Sequence, residues 1–251
     1  MSTFLEQREK RKTEAKISLD STRKYCTRCM RPEMLCLCST VQPFDTLSHF
    51  LILQHPKEAK RVRNGTGRLT HLHLTNSRMF SGLDYSSDSQ LNGIISDPVY
   101  FPMVLYPGPR STETGDLSFT DILKGGKRAL FILLDGTWRT AKKMMILSQN
   151  LHSLLQISIT PSQYSKFFIK TQPRENCVST IETVYYLLEE LKKQRIENLQ
   201  NEHERLMDTL DRIVEFQIQC TESASKPGYR KDPTSKKREP RIRPDSRNPY
   251  F

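Results

Sequence analysis

Four of the chain's six cysteines fall close together, in the order Cys26-x2-Cys29-x6-Cys36-x-Cys38. Thiolates packed this densely suit a tetrahedral Zn²⁺, with four sulfurs about 2.3 Å from the metal. A Cys-x2-Cys pair chelates from one tight turn; the Cys-x-Cys pair is less usual and fits a knuckle. The alternative is a cluster of reduced thiols without metal, because a reducing compartment disfavours a structural disulfide. Four protein ligands leave no open position, so the expected role is structural, stabilising a segment with little core of its own. Arg28 and Arg31 lie inside the loop, where they would offset thiolate charge. Cys177 and Cys220 stand apart and read as buried thiols.

A second concentration of chemistry follows residues 128–134, where RALFILL runs into Asp135-Gly136-Thr137-Trp138. The unbroken apolar run reads as a parallel strand covered on both faces. In open α/β sheets, ligands sit beyond the carboxyl ends of strands, and Asp135 stands at such an end. Gly136 permits a sharp exit and a close approach of ligand to backbone. Trp138 is the only tryptophan. The plain alternative is that Asp135 or Thr137 caps the next helix and Trp138 is core. Upstream, His55-Pro56-Lys57-Glu58, Arg61 and Thr66-Gly67-Arg68-Leu69 leave the end of another apolar run. They would either grip an anion and place a base, or form solvated loop. Tyr106-Pro107-Gly108 is a further tight loop. Pro173-Arg174-Glu175 leads into Ser179-Thr180-Ile181-Glu182, where Ser179 and Glu182 have capping-box spacing. A helix starting there would offer free amides to a carboxylate or phosphate.

The elements that must position these groups alternate. Strands are expected at 47–54, 93–96, 99–106, 128–134, 155–159 and 165–169, and helices at 69–74, at 137–149 and from about 179. That alternation predicts an α/β fold built on a mostly parallel sheet. In the last helix Ile181, Val184, Tyr185, Leu188 and Leu191 follow 3.6-residue spacing. Leu206, Leu210, Ile213, Val214 and Phe216 continue a similar stripe. Between the two lies KKQRIENLQNEHER, where the helix either continues solvated or breaks.

Composition bounds the rest. With 251 residues, 36% hydrophobic and 27% charged, the chain suits one domain with polar appendages, at roughly 100–200 residues per domain. Its longest apolar runs fall far short of the about 20 residues a membrane span needs. Six cysteines are too few for a disulfide scaffold. The first residues are charged rather than an apolar signal core, so a cytoplasmic address is expected. The net charge of +11 sits mostly at the ends: +3 in residues 1–24 and +6 in residues 226–251. Basic ends attract a polyanion through counterion release, or merely solubilise. The expected division is a basic arm (1–24), a cysteine-rich zinc-binding subdomain (25–45), a catalytic domain (46–220) and a basic tail too poor in aliphatics to order itself (221–251). Nothing fixes an oligomeric state.

Taken in chain order, C-x2-C-x6-C-x-C, H-P-x-E, T-G-R-L, Y-P-G, D-G-T-W, and S-x-F-x-I-K leading to Q-P-R-E-x-x-x-S-T-x-E are far more specific than any one alone. The set resembles the DTW-domain family, the tRNA-uridine aminocarboxypropyltransferases, from about Cys26 to Leu191. The resemblance implies a SPOUT-like fold with a knotted C-terminal region. It also implies transfer of the 3-amino-3-carboxypropyl group of S-adenosylmethionine to N3 of a uridine in tRNA, with release of 5′-methylthioadenosine. On that basis Asp135 is the candidate catalytic residue. Tyr106, Pro107, Leu134, Gly136, Thr137, Trp138, Ser179 and Thr180 are candidates for holding the sulfonium donor. His55, Glu58, Arg61, Thr66, Arg68, Lys170 and Arg174 are candidates for the RNA substrate, and Cys26, Cys29, Cys36 and Cys38 for zinc. The sequence departs from the family pattern by one extra residue before T-G-R-L, by Lys170 in place of arginine, and by Phe167 where tyrosine is common. Rival readings are a SPOUT-like RNA methyltransferase, a related transferase acting on ribosomal RNA, and a non-enzymatic zinc-bearing RNA-binding module.

Overall fold

The computed structural model describes residues 24–59, 65–167, 171–172, 177–222 and 241–242. In chain order the elements are β1 (His49–Gln54), α1 (Pro56–Ala59), α2 (Gly67–His73), β2 (Ser77–Ser81), α3 (Ser89–Ile95), β3 (Tyr100–Leu105) and β4 (Thr112–Glu113). Then come α4 (Phe119–Ile122), β5 (Arg128–Asp135), α5 (Trp138–Leu147), β6 (Leu155–Ser158), β7 (Thr171–Gln172), α6 (Thr180–Lys193), α7 (Glu204–Glu222) and β8 (Arg241–Ile242). Six strands form one all-parallel sheet in the order β2-β1-β5-β3-β6-β4.

The apolar run of β5 has a direct cause. Successive side chains of a strand point to opposite faces, and both faces are covered. Ala129, Phe131 and Leu133 join one core with Phe50, Ile52, Met103, Ile157 and the inner faces of α6 and α7. Leu130 and Ile132 join a second core with Leu51, Leu53, Val104, Leu91 of α3 and Met144 and Met145 of α5. The result is a three-layer α/β/α sandwich. All its strands end on one edge, where Gln54 pairs in register with Asp135 and Leu105 with Leu133.

Several expectations change. Residues 93–95 belong to α3, with Ser96 as its C-cap, rather than to a strand; Asp88 caps the start of that helix by accepting from the Leu91 N–H at 2.9 Å. β2 is an edge strand with the polar sequence SRMFS, whose pattern gave no strand signal. Residues 165–167 form no strand, and 168–170 lie outside the described residues. The polar patch after α6 is a break. Arg195 adopts φ 60°, and the Ile196 N–H closes back on the Leu191 carbonyl at 2.9 Å, the geometry of a left-handed helix stop. Of the C-terminal region in which the resemblance implies a knot, 168–170, 173–176, 223–240 and 243–251 lie outside the described residues. Of the C-terminal tail, Thr221 and Glu222 end α7, and Arg241–Ile242 pairs in parallel with Thr171–Gln172; the rest lies outside the described residues. No helix among the described residues is long and apolar enough to cross a membrane.

The cysteine-rich segment packs on the main core. Cys29, Val41 and Phe44 share a cluster with Leu199, Leu206 and Leu210. The chain entering β1 is pinned as well. Glu197 accepts from the Leu47 and Ser48 N–H groups at 2.9 and 2.7 Å. Fully buried His73 lies 3.1 Å (Nδ1) from the Gln42 carbonyl and 2.8 Å (Nε2) from the Thr209 hydroxyl. A carbonyl only accepts, so Nδ1 carries the proton and Nε2 receives the hydroxyl's.

His49, His55, His71 and His73 all have pKa values held below the usual histidine range, chiefly by burial. Folding therefore favours the neutral rings, and the unfolded chain takes up protons first. Their contribution is complete above about pH 6.5 and is lost as pH falls through the folded values. The expected result is a melting temperature that drops between pH 7 and pH 5 in differential scanning calorimetry. A flat profile over that window would refute this.

Candidate functional site

At the carboxyl ends of β3, β5 and β6 lies a cavity of about 520 Å³, within the size range of small-molecule sites. Its wall is assembled from segments far apart in sequence: Thr66 before α2, Tyr106 to Pro109 after β3, Leu134 to Trp138 across the end of β5, and Ser179, Thr180 and Thr183 at the start of α6.

Asp135 sits at the junction of these segments and is only 5% exposed. Its carboxylate accepts from the Thr180 hydroxyl at 2.7 Å and from Gln54 Nε2 at 2.9 Å. It does not cap a helix. Thr137 does, its hydroxyl accepting from the Thr140 N–H at 3.3 Å. Gly67 lies so close that a Cβ there would fall 2.3 Å from Asp135 Cγ. Glycine is required at that position by close approach, since any side chain would displace the carboxylate. Trp138 is half-buried in the cavity wall and is not part of either core cluster.

The start of α6 is fixed by a buried carboxylate. Glu182 has no exposure and accepts from the Ser179 N–H and hydroxyl, the Ser165 hydroxyl and the Lys166 N–H, at 2.6 to 3.0 Å. The expected Ser179–Glu182 pairing thus does more than close a helix end: it ties α6 to the segment carrying Phe167. Phe167 is buried and lines the cavity.

All eight residues expected to hold a donor (Tyr106, Pro107, Leu134, Gly136, Thr137, Trp138, Ser179 and Thr180) line this one cavity. Of the residues expected to meet RNA, Glu58 and Thr66 line it too. His55 does not. It is buried behind Gly136, and its Nδ1 accepts from the Lys57 N–H at 3.1 Å. Burial, then Lys57 and Lys143, push its pKa down, so the ring is a neutral cap for α1. Arg68 is half-exposed on α2, outside the cavity wall. Arg61, Lys170 and Arg174 lie outside the described residues.

Sequence reasoning missed three contributors. Gln54 ends β1 in register with Asp135, and only strand pairing reveals it. Glu113 accepts from the Ser158 hydroxyl at 2.7 Å and adds a carboxylate to those of Asp135 and Glu58 in the wall; β4, two residues long, is too short to read. Gly67 stood within T-G-R-L, but its reason for being glycine is the carboxylate across from it.

The four clustered cysteines form a separate candidate metal centre. Cys26 and Cys38 Sγ are 3.7 Å apart, as are Cys29 and Cys36, and all four sulfurs lie within 4.8 Å of one another. Sulfurs about 2.3 Å from a central Zn²⁺ define a tetrahedron with edges of about 3.8 Å, so the donor set fits that ion. N–H groups of Cys29 and Arg28 lower the Cys26 pKa to about 6, while burial pushes Cys38 up. Arg31 is buried against the cluster, with one guanidinium nitrogen unpartnered, whereas Arg28 is exposed. Of the two arginines, Arg31 is the one placed to offset thiolate charge.

A family model described as the DTW domain matches residues 23–218. The tRNA-uridine aminocarboxypropyltransferase 2 of Drosophila melanogaster is 31% identical over 179 residues, 68% of this chain and 68% of that protein. The protein of the same name from Mus musculus is 29% identical over 202 residues, 78% of this chain and 64% of the relative. The tRNA-uridine aminocarboxypropyltransferase A of Arabidopsis thaliana is 25% identical over 221 residues, 78% and 81% of the two chains. This chain thus spans about two thirds of the length of the fly and mouse relatives. No solved structure gives a significant match.

Proposed function

Because this chain belongs to the DTW-domain family, we propose that it transfers the 3-amino-3-carboxypropyl group of S-adenosylmethionine to N3 of a uridine in tRNA. The observation that carries the reading is the convergence of the D-G-T-W turn, the Tyr106–Pro109 loop and the start of α6 on one cavity, with a buried aspartate at their meeting point.

The reaction sets clear demands. A bond forms between uridine N3 and the γ-methylene of the methionine arm, and the bond from that carbon to sulfur breaks. Sulfur keeps the electron pair, so the co-product is 5′-methylthioadenosine, and the N3 proton must leave. N3 has to lie in line with carbon and sulfur, about 3–3.5 Å from the carbon. The less hindered methyl group must be shielded, and Trp138 is the bulky side chain of the wall suited to that. Asp135 supplies negative charge from a buried position, where it draws in the cationic donor and accepts the N3 proton. The uridine must be unstacked to enter, so the substrate is presented from a loop rather than a helix.

The four cysteines would hold a structural Zn²⁺, which cross-links residues 26–38 and gives the segment stability its small core lacks. The co-product separates the transfer from its nearest rival. Incubation with donor and tRNA is expected to yield 5′-methylthioadenosine by mass spectrometry; S-adenosylhomocysteine would instead identify a methyltransferase. Purified tRNA is expected to be modified and ribosomal RNA not. Failure to bind S-adenosylmethionine in calorimetry would leave a zinc-bearing RNA-binding module.

The basic C-terminal tail is assigned to phosphate contacts. Neutralising the six Lys and Arg residues of 226–240 is expected to weaken tRNA binding and flatten its dependence on salt. An unchanged salt slope would make the tail a passenger.

A further inference from the structure

We propose that the outward face of α5 is the surface on which the tRNA backbone docks beside the cavity; this rests on the reading of tRNA as substrate. The helix begins at Trp138 in the cavity wall and runs away from it. Ala141, Met144 and Met145 are buried. At about 100° per residue, Arg139, Lys142, Lys143 and Ile146 share the opposite face. Arg139 and Lys143 are exposed, Lys142 is half-exposed, and Ile146 is 60% exposed among them.

The stripe is chemically one-sided. The sequence WRTAKKMMIL contains no acidic residue. None of the three cations makes an ion pair among the described residues, whereas Lys124, Lys166, Lys192, Lys193 and Arg205 all do. Lys57, exposed at the start of α1, extends the patch: it and Lys143 both bear on the buried His55 ring. Glu58, next to Lys57, belongs to the cavity wall. Unpaired cations on the helix that leaves the wall of a site that must receive a nucleotide match a phosphate backbone, whose contacts set register without reading sequence. The geometry explains how a base could enter the cavity while its flanking strand stays outside.

The full-length chain with Arg139, Lys142 and Lys143 all changed to Ala tests this against an equal loss of charge at the far edge of the sheet, with Lys124, Lys127 and Arg128 changed to Ala. tRNA binding is measured by fluorescence anisotropy over a range of salt, and donor binding by calorimetry as the check on folding. The α5 variant is expected to bind tRNA at least about 10-fold more weakly, with a log–log salt slope shallower by about 2–3, since each phosphate contact contributes about 0.7–0.9. Donor affinity should hold, and the far-edge variant should stay close to wild type. Equal losses in the two variants, or no loss in the α5 variant, overturn the assignment. A wild-type chain that binds no tRNA overturns instead the functional reading beneath it.

Discussion

Asp135→Asn is expected to fold and to lose transfer by about 10²–10⁴-fold, the range for removal of a positioned acid–base group. The substitution is nearly isosteric, so the contact with Gly67 is kept. Its hydrogen bonds can also be re-formed. Gln54 Oε1 is buried without a partner, so a flipped Gln54 amide accepts from the new Asn N–H₂. The Thr180 hydroxyl still donates to the Asn oxygen. What disappears is the negative charge, and with it the proposed attraction for a sulfonium donor and the proposed acceptor for the N3 proton. Gly67→Ala makes the complementary change: the charge stays, but its carboxylate is forced away from the overlap of 2.3 Å. Loss of transfer is expected there too. A folded Asp135→Asn chain with wild-type turnover would remove this residue from the mechanism.

Loss of the proposed zinc should have the largest effect on stability. Zinc held at about 1,000 times its dissociation constant contributes about 4 kcal/mol. For a chain of this size, that converts to a fall of roughly 8–16 °C in melting temperature on chelation or in Cys29→Ser. Cys29 is the ligand to change, because it is buried in the core shared with Val41, Phe44 and α7. The same loss should loosen residues 41–48, which lead into β1, and amide hydrogen exchange there should rise. Metal analysis finding no zinc in the purified protein, with melting unaffected by chelator, would contradict the assignment.

What could be read from the sequence follows from how each feature is encoded. β5 was legible because burial on both faces forces an unbroken apolar run. The capping pair Ser179–Glu182 and the cysteine spacing were legible because their partners are close in sequence. The cavity wall was partly legible: D-G-T-W, Y-P-G and S-T each mark a chain exit from the sheet or a helix start. Their convergence was not, because it depends on β5 inserting between β1 and β3. Gln54 and Gly67 escaped notice for the same reason, since both act on a residue some seventy to eighty positions away. β2 hid because an edge strand need not be apolar, and α3 because its Asp88 cap was the only sign against an apolar Ile94–Ile95 pair. For His55 the sequence shows only the neighbours, not the burial. The charged residues around it suggested a ligand contact, but the ring is buried and serves the backbone.

The most direct test of the central claim is nucleoside mass analysis of tRNA incubated with the enzyme and S-adenosylmethionine. The account predicts a uridine heavier by one aminocarboxypropyl group, absent with Asp135→Asn. A uridine gaining only a methyl group, or tRNA left unmodified by a folded, donor-binding chain, would contradict it.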